Sequence, residues 1–212
     1  MTDTNLLKRP PNKEAHIPSS EMLHALKAVY KAVARPGDDR PHMIAVQFTV
    51  YNNGGLALRA TDGRWAARWT NNPTLLHEVG SVVATTDSVL RVIKILRASA
   101  AMTVLAFDDN DRWSVTCGTQ SESLMPIDDG HLYPNIDRVI DGCPRYDKHA
   151  SGAAMFRLGA RYLGLVESAF RCVAGREATL QFEGAYASGF EPFLITCPTA
   201  PELTAVLMPI TL

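Results

Sequence analysis

At 212 residues the chain has room for one large domain, or for one and a half to two small ones. It is 46% hydrophobic and 20% charged, which supplies a packed core and excludes bulk disorder. The formal net charge of -1 means that any nucleic-acid binding must come from where charge is placed, not from an excess of it. No apolar run approaches the roughly 20 residues that span a bilayer, and the polar start MTDTNLLKRPPNKE does not resemble a signal peptide. Cys117, Cys143, Cys172 and Cys197 are far apart with no CxxC pair. That argues for reduced thiols in a cytoplasmic protein, against a disulfide frame or a zinc site.

Residues 1–18 contain three prolines and little apolar periodicity, and read as a flexible N-terminal arm. Ser19 or Ser20 can cap a helix over about 21–35, where Met22, Leu26, Val29 and Val33 form one stripe. Arg35-Pro36-Gly37 ends it. Ile44, Val46, Phe48 and Val50 then alternate, Asn52-Asn53-Gly54-Gly55 turns the chain, and Leu56 and Leu58 mark a return strand. A third strand through 64–69 follows the polar corner Thr61-Asp62-Gly63.

The order then repeats. A strand at 81–85 leads to Asp87 or Ser88 as cap, then a helix with Val89, Val92, Ile93 and Leu96 on one face. A hairpin runs from Met102–Phe107 through Asp108-Asp109-Asn110-Asp111 to Trp113–Cys117, and Leu124-Met125-Pro126-Ile127 closes the unit. After a linker at 141–152, a strand at 154–158 begins a third pass. Its helix carries Tyr162, Leu165, Val166 and Ala169, with strands near 179–182 and 193–197 and the closing run Leu207-Met208-Pro209-Ile210. The same four residue types end the second and third units. A repeated strand–helix–strands unit of about 50–60 residues follows, in an α+β fold of antiparallel sheets with helices on one face.

On a helical wheel His24, Lys27, Lys31 and Arg35 oppose the first apolar stripe. Arg91 and Lys94 oppose the second, with Arg97 on its flank. Composition alone allows two solvated faces; placement on two equivalent helices also allows a phosphate-facing surface.

Three segments carry a family resemblance. Residues 60–66 (ATDGRWA) resemble the ATDGHRLA segment in the middle domain of bacterial DNA polymerase III beta subunits, the sliding clamps. Residues 124–139 (LMPIDDGHLYPNIDRV) are similar to that domain's closing stretch, and 206–212 (VLMPITL) to the family's C-terminal VVMPMRL. The resemblance covers about 19–212. It implies a DNA clamp fold with a complete clamp-type domain at 19–140 and, at 153–212, the second half of the last domain. The family's first domain and the first half of its last have no counterpart.

The resemblance also implies a groove for short client peptides. Thr61, Gly63, Arg64, Trp65 and Ala66 would line one wall, with Pro134, Arg138 and Val139 nearby. Val206, Met208, Pro209 and Ile210 would form the other. Trp65 and Ala66 stand where the family usually has Arg and Leu, and Thr211 where it has Arg. The implied partners are double-stranded DNA, a DNA polymerase and other proteins with a clamp-binding motif, and a clamp loader. A lone third unit leaves half a core and an open sheet edge, so a homo-oligomer, dimer or tetramer, is expected.

No nucleotide-binding glycine motif occurs, and Asp108–Asp111 lacks the ligand spacing of a calcium loop. His131 with Asp128 and Asp129 has no nucleophile or oxyanion loop beside it, which leaves a small hydrolase with little support. The expected protein is no enzyme and needs no cofactor or metal. It is a processivity factor or, alternatively, a non-encircling decoy that binds clamp-client peptides.

Overall fold

The computed structural model describes residues 13–72, 74, 77–98, 101–127, 133–143, 158–183 and 192–208. The first unit is β1 (Glu14–Pro18), α1 (Ser19–Val29), β2 (Ala45–Tyr51), β3 (Leu56–Thr61) and β4 (Trp65–Thr70). The second is β5 (Glu78–Thr85), α2 (Thr86–Arg97), β6 (Met102–Phe107), β7 (Trp113–Cys117) and β8 (Gln120–Leu124). A short helix, α3 (Ile136–Asp141), precedes the third unit of α4 (Ala160–Ala174), β9 (Gln181–Glu183), β10 (Phe193–Thr196) and β11 (Leu203–Leu207). Residues 154–157 of the strand expected at 154–158 and the linker beyond 143 lie outside the described residues, and Leu158 is not in a strand.

Three expectations are corrected at the start of the chain. Residues 14–18 are not arm: Ala15 and Ile17 point inward as β1 runs antiparallel to β6. Nor does the first helix reach 35. It tightens into a 3-10 turn at Tyr30–Ala32, and Val33 is already extended. The backbone N–H of Ala34 bonds to the Met43 carbonyl, which pulls the chain off the helix axis and leaves Arg35 beyond it. Ser19 does not cap: Pro18 holds that place, and the Ser19 hydroxyl donates to the Ala101 carbonyl across the unit boundary.

Each of the first two units gives its leading strand to the other. β1 pairs with β6, making the sheet β1-β6-β7-β8, and β5 pairs with β2. The second sheet runs β5-β2-β3-β4-β11-β10-β9, so β4 and β11 join the first unit to the third in one ladder. The run 124–127 carries the chain back to β5, with bonds from Thr85 N–H to Met125 O and from Ile127 N–H to Val83 O.

Strand alternation sorts the second sheet's two faces. Val46, Phe48, Val50, Leu58, Trp65, Ala67, Trp69, Ile195 and Ala205 share the main core with α1, α2 and α4. Ala66, Leu194 and Val206 point the other way and form a smaller core with Ile136, Ile140 and Cys143. The α3 segment thus covers the sheet's second face, an addition to the one-sided arrangement read from periodicity.

Candidate functional site

The corner between β3 and β4 is built by its own polar side chains. Gly63 has φ +79°, the left-handed region where a Cβ is costly. Thr61 Oγ1 accepts from the Gly63 N–H at 3.0 Å and donates to the Trp65 carbonyl at 2.8 Å. Asp62 Oδ1 accepts from the N–H groups of Arg64 and Trp65 at 2.9 and 3.0 Å. Arg40 braces the corner from outside, donating to the Asp62 carbonyl at 3.1 Å while it grips Asp38 at 2.9 and 3.1 Å. That guanidinium holds the Asp38 carboxyl down at about 2.

Beside this corner is an apolar groove of about 210 Å³ on the α3 face, at the seam of β4 and β11. Thr61, Gly63, Arg64, Trp65 and Ala66 border it on one side, Pro134 and Val139 on a second, and Val206 and Met208 on a third. Ala66 lies directly opposite Val206 in the ladder. The Met208 N–H, donating to the Arg64 carbonyl at 2.9 Å, extends the pairing one residue past β11. Val139 and Met208 are 42% and 41% exposed, unlike most large apolar side chains here, and both line the groove. Exposed apolar groups converging on one concavity are the mark of a binding surface.

A larger depression of about 830 Å³ sits elsewhere along the sheet, lined by Glu21, Asp137, Asp141 and Glu202 among others. An apolar ligand there would have to desolvate those carboxylates, so the smaller groove suits an apolar ligand better.

A buried ion cluster fixes α3 and hence the groove's second side. Arg59, 3% exposed in the centre of β3, donates through Nε and Nη2 to Asp137 at 2.9 and 2.5 Å, and Arg68 adds a bond at 3.2 Å. Burial works to raise the Asp137 carboxyl, but the two guanidiniums outweigh it and hold its pKa below the ordinary value. Arg59 also donates to Thr49 and Tyr51. Tyr133 packs partly buried against the smaller core beside the same segment, and burial pushes its hydroxyl pKa up.

The groove thus gathers most of the residues the sequence nominated, with three qualifications. The Trp65 ring packs in the main core, so it borders the groove without filling it. Arg138 is exposed on α3 outside the groove lining. Pro209 and Ile210 lie outside the described residues. Sequence reasoning missed Met43 and Ile136, which complete the lining. Ile136 was readable: Asn135 caps α3 by accepting from the Arg138 N–H, and Ile136, Val139 and Ile140 follow at helical spacing. Met43, after a proline in a 3-10 turn, carries no such signal.

The basic residues fall on exposed surface around α1 and α2. His24, Lys31, Arg91, Lys94 and Arg97 are exposed and Lys27 is half-buried. Lys31 sits in the 3-10 turn after α1, and Arg91 is engaged by Glu122 at 3.2 Å. Asp108 is a turn-builder, accepting from the N–H groups of Asn110 and Arg112, which lower its carboxyl pKa. His131, Asp128 and Asp129 lie outside the described residues. No described helix is long and apolar enough to cross a membrane.

Comparison with solved structures places this architecture. The chain superposes on the DNA polymerase sliding clamp of Pseudomonas aeruginosa with a TM-score of 0.74 and 15% identity, covering 100% of this chain and 70% of that one. The DNA polymerase III beta subunit of Thermotoga maritima gives 0.71 and 14%, with the same two coverages. The sliding clamp of Caulobacter crescentus gives 0.68 and 15%, again over 100% and 70%. No family model and no curated protein matches the sequence. The α+β fold is that of the bacterial sliding clamps, as the three sequence segments implied, and the chain spans about 70% of the length of those clamps.

Proposed function

We propose that this chain is a sliding-clamp-like processivity factor: it holds double-stranded DNA and tethers a polymerase or other client through the groove between β4 and β11. The units at 19–140 act as a complete clamp domain and 153–212 as half of another. The protein works in the cytoplasm without chemistry of its own, and a clamp loader is its expected assembly partner. The observation that carries the reading is the groove itself. Residues 61–66 and 206–208, far apart in sequence and each similar to a clamp segment, line one apolar concavity with the exposed Val139 and Met208.

Such a groove suits an extended peptide presenting a Leu or Met and an aromatic side chain. Burying each anchor is worth about 1.5–3 kcal/mol before ordering costs, which places affinity near micromolar. Ala66, where clamps usually have Leu, widens the floor and shifts preference toward a bulkier anchor. The basic residues on α1 and α2 would meet phosphates without reading bases, as sliding requires.

Titrating a fluorescent clamp-binding peptide into wild type and Met208→Ala tests the groove. Micromolar binding by wild type and about tenfold weaker binding by the variant is expected, with unchanged circular dichroism. Equal binding by both places the site elsewhere, and no binding by wild type at millimolar peptide removes the groove from the proposal.

A further inference from the structure

The third unit stops short of the arrangement that completes the first two. There, α1 and α2 pack together and leading strands are exchanged, so that β6 is covered by β1. Between α3 and α4 lie only residues 142–159, too few for another strand–helix–hairpin unit. β9, which corresponds to β6, ends the seven-stranded sheet, and no described strand pairs with its outer edge.

Burial follows the same division. The 12-residue α2 buries six residues, whereas the 15-residue α4 buries only Val166, Ala169 and Phe170. Counted from each helix start, the buried Ser88, Val89 and Ile93 of α2 correspond to Tyr162, Leu163 and Glu167, none of them buried. Tyr162 is turned toward the first unit, its hydroxyl accepting from Arg64 Nη1 at 2.8 Å. Leu163 and Glu167 lie about 100° and 140° further around the helix, on the flank beyond it, where Leu163 is only partly buried against the main core and Glu167 is exposed. Phe182 of β9 opposes Ile195, whose side chain is in the helix-side core. It therefore points to the same side as α4, yet it is 45% exposed, while Leu105 and Phe107 on β6 are buried.

We propose that this flank of α4 and the β9 edge form a self-interface, on which the third unit of a second copy packs about a two-fold axis. The occupant follows from the internal symmetry of the fold. The missing neighbour of a half is another half of the same architecture, and the chain offers one in each further copy. The surface is then isologous: Leu163 and Phe182 of both copies become core, and two open β9 edges are closed. This inference rests on packing alone, and it stands whether or not the groove takes clamp-client peptides.

Light scattering on the full chain, with Phe182→Lys and Leu163→Lys prepared separately, provides the test. Wild type should have the mass of an even number of chains at tens of micromolar. Each variant should halve that mass at low concentration, weakening association about tenfold or more, the scale of one buried anchor. Circular dichroism and peptide binding should remain those of wild type, since both substitutions lie away from the groove. A wild-type monomer, an odd number of chains, or folded variants that keep the wild-type mass overturn the proposal.

Discussion

Asp137 shows how one side chain couples stability to the site. It neutralises Arg59, which is buried in the centre of a strand, and it belongs to α3, which carries Val139 and Ile136 to the groove. Asp137→Asn should cost about 1.5–3 kcal/mol in denaturant unfolding, the range for a lost hydrogen bond to a charged group. Its pKa is lowered by folding, so its contribution is complete above the ordinary carboxylate pKa and disappears as pH falls through the lower folded value. The stability gap between wild type and Asp137→Asn should therefore be constant near neutrality and close only below about pH 4. At Gly63 the left-handed backbone resists a β-branched residue, and a Cβ there would also meet the Arg40 guanidinium. Gly63→Val should cost about 1–3 kcal/mol and weaken peptide binding, read by thermal melting and titration together. The corner's turn chemistry is legible in Thr61-Asp62-Gly63. The partnership of Arg59 with Asp137 is not, because an ion pair across 78 positions leaves no local pattern.

Among the elements, periodicity locates the hairpins well because each buries one face. Met102–Phe107 and Trp113–Cys117 have the bounds that their alternation predicts. Helix ends are harder: the stripe through Val33 continues past the point where the Ala34–Met43 bond redirects the backbone. α3 is only six residues long, yet its asparagine cap and the helical spacing of Ile136, Val139 and Ile140 leave it legible. The same placement bears on DNA. Changing Lys27, Lys31, Arg91 and Lys94 together to Ala should weaken duplex binding and flatten the slope of log affinity against log salt, by about 0.9 for each phosphate no longer neutralised. Arg91 is paired with Glu122, so the change should fall short of the value for four phosphates. An unchanged slope would mean that these helices face bulk solvent.

For the whole molecule, repetition is the most informative signal. Two closing runs of Leu-Met-Pro-Ile at equivalent points predict equivalent units, and the strand exchange between the first two explains why a unit needs a neighbour. The seven-stranded sheet that crosses from β4 to β11 is not readable, because nothing local marks which strands abut. That seam brings the groove's walls together, while paired third units would set the copy number of any ring. Retention on DNA is the direct test of a clamp. The protein is assembled on a nicked circular plasmid with a bacterial clamp loader and ATP, washed in high salt, and the plasmid is then linearised. The protein should stay on the circle and run off the linear form, and equal loss from both would contradict a clamp.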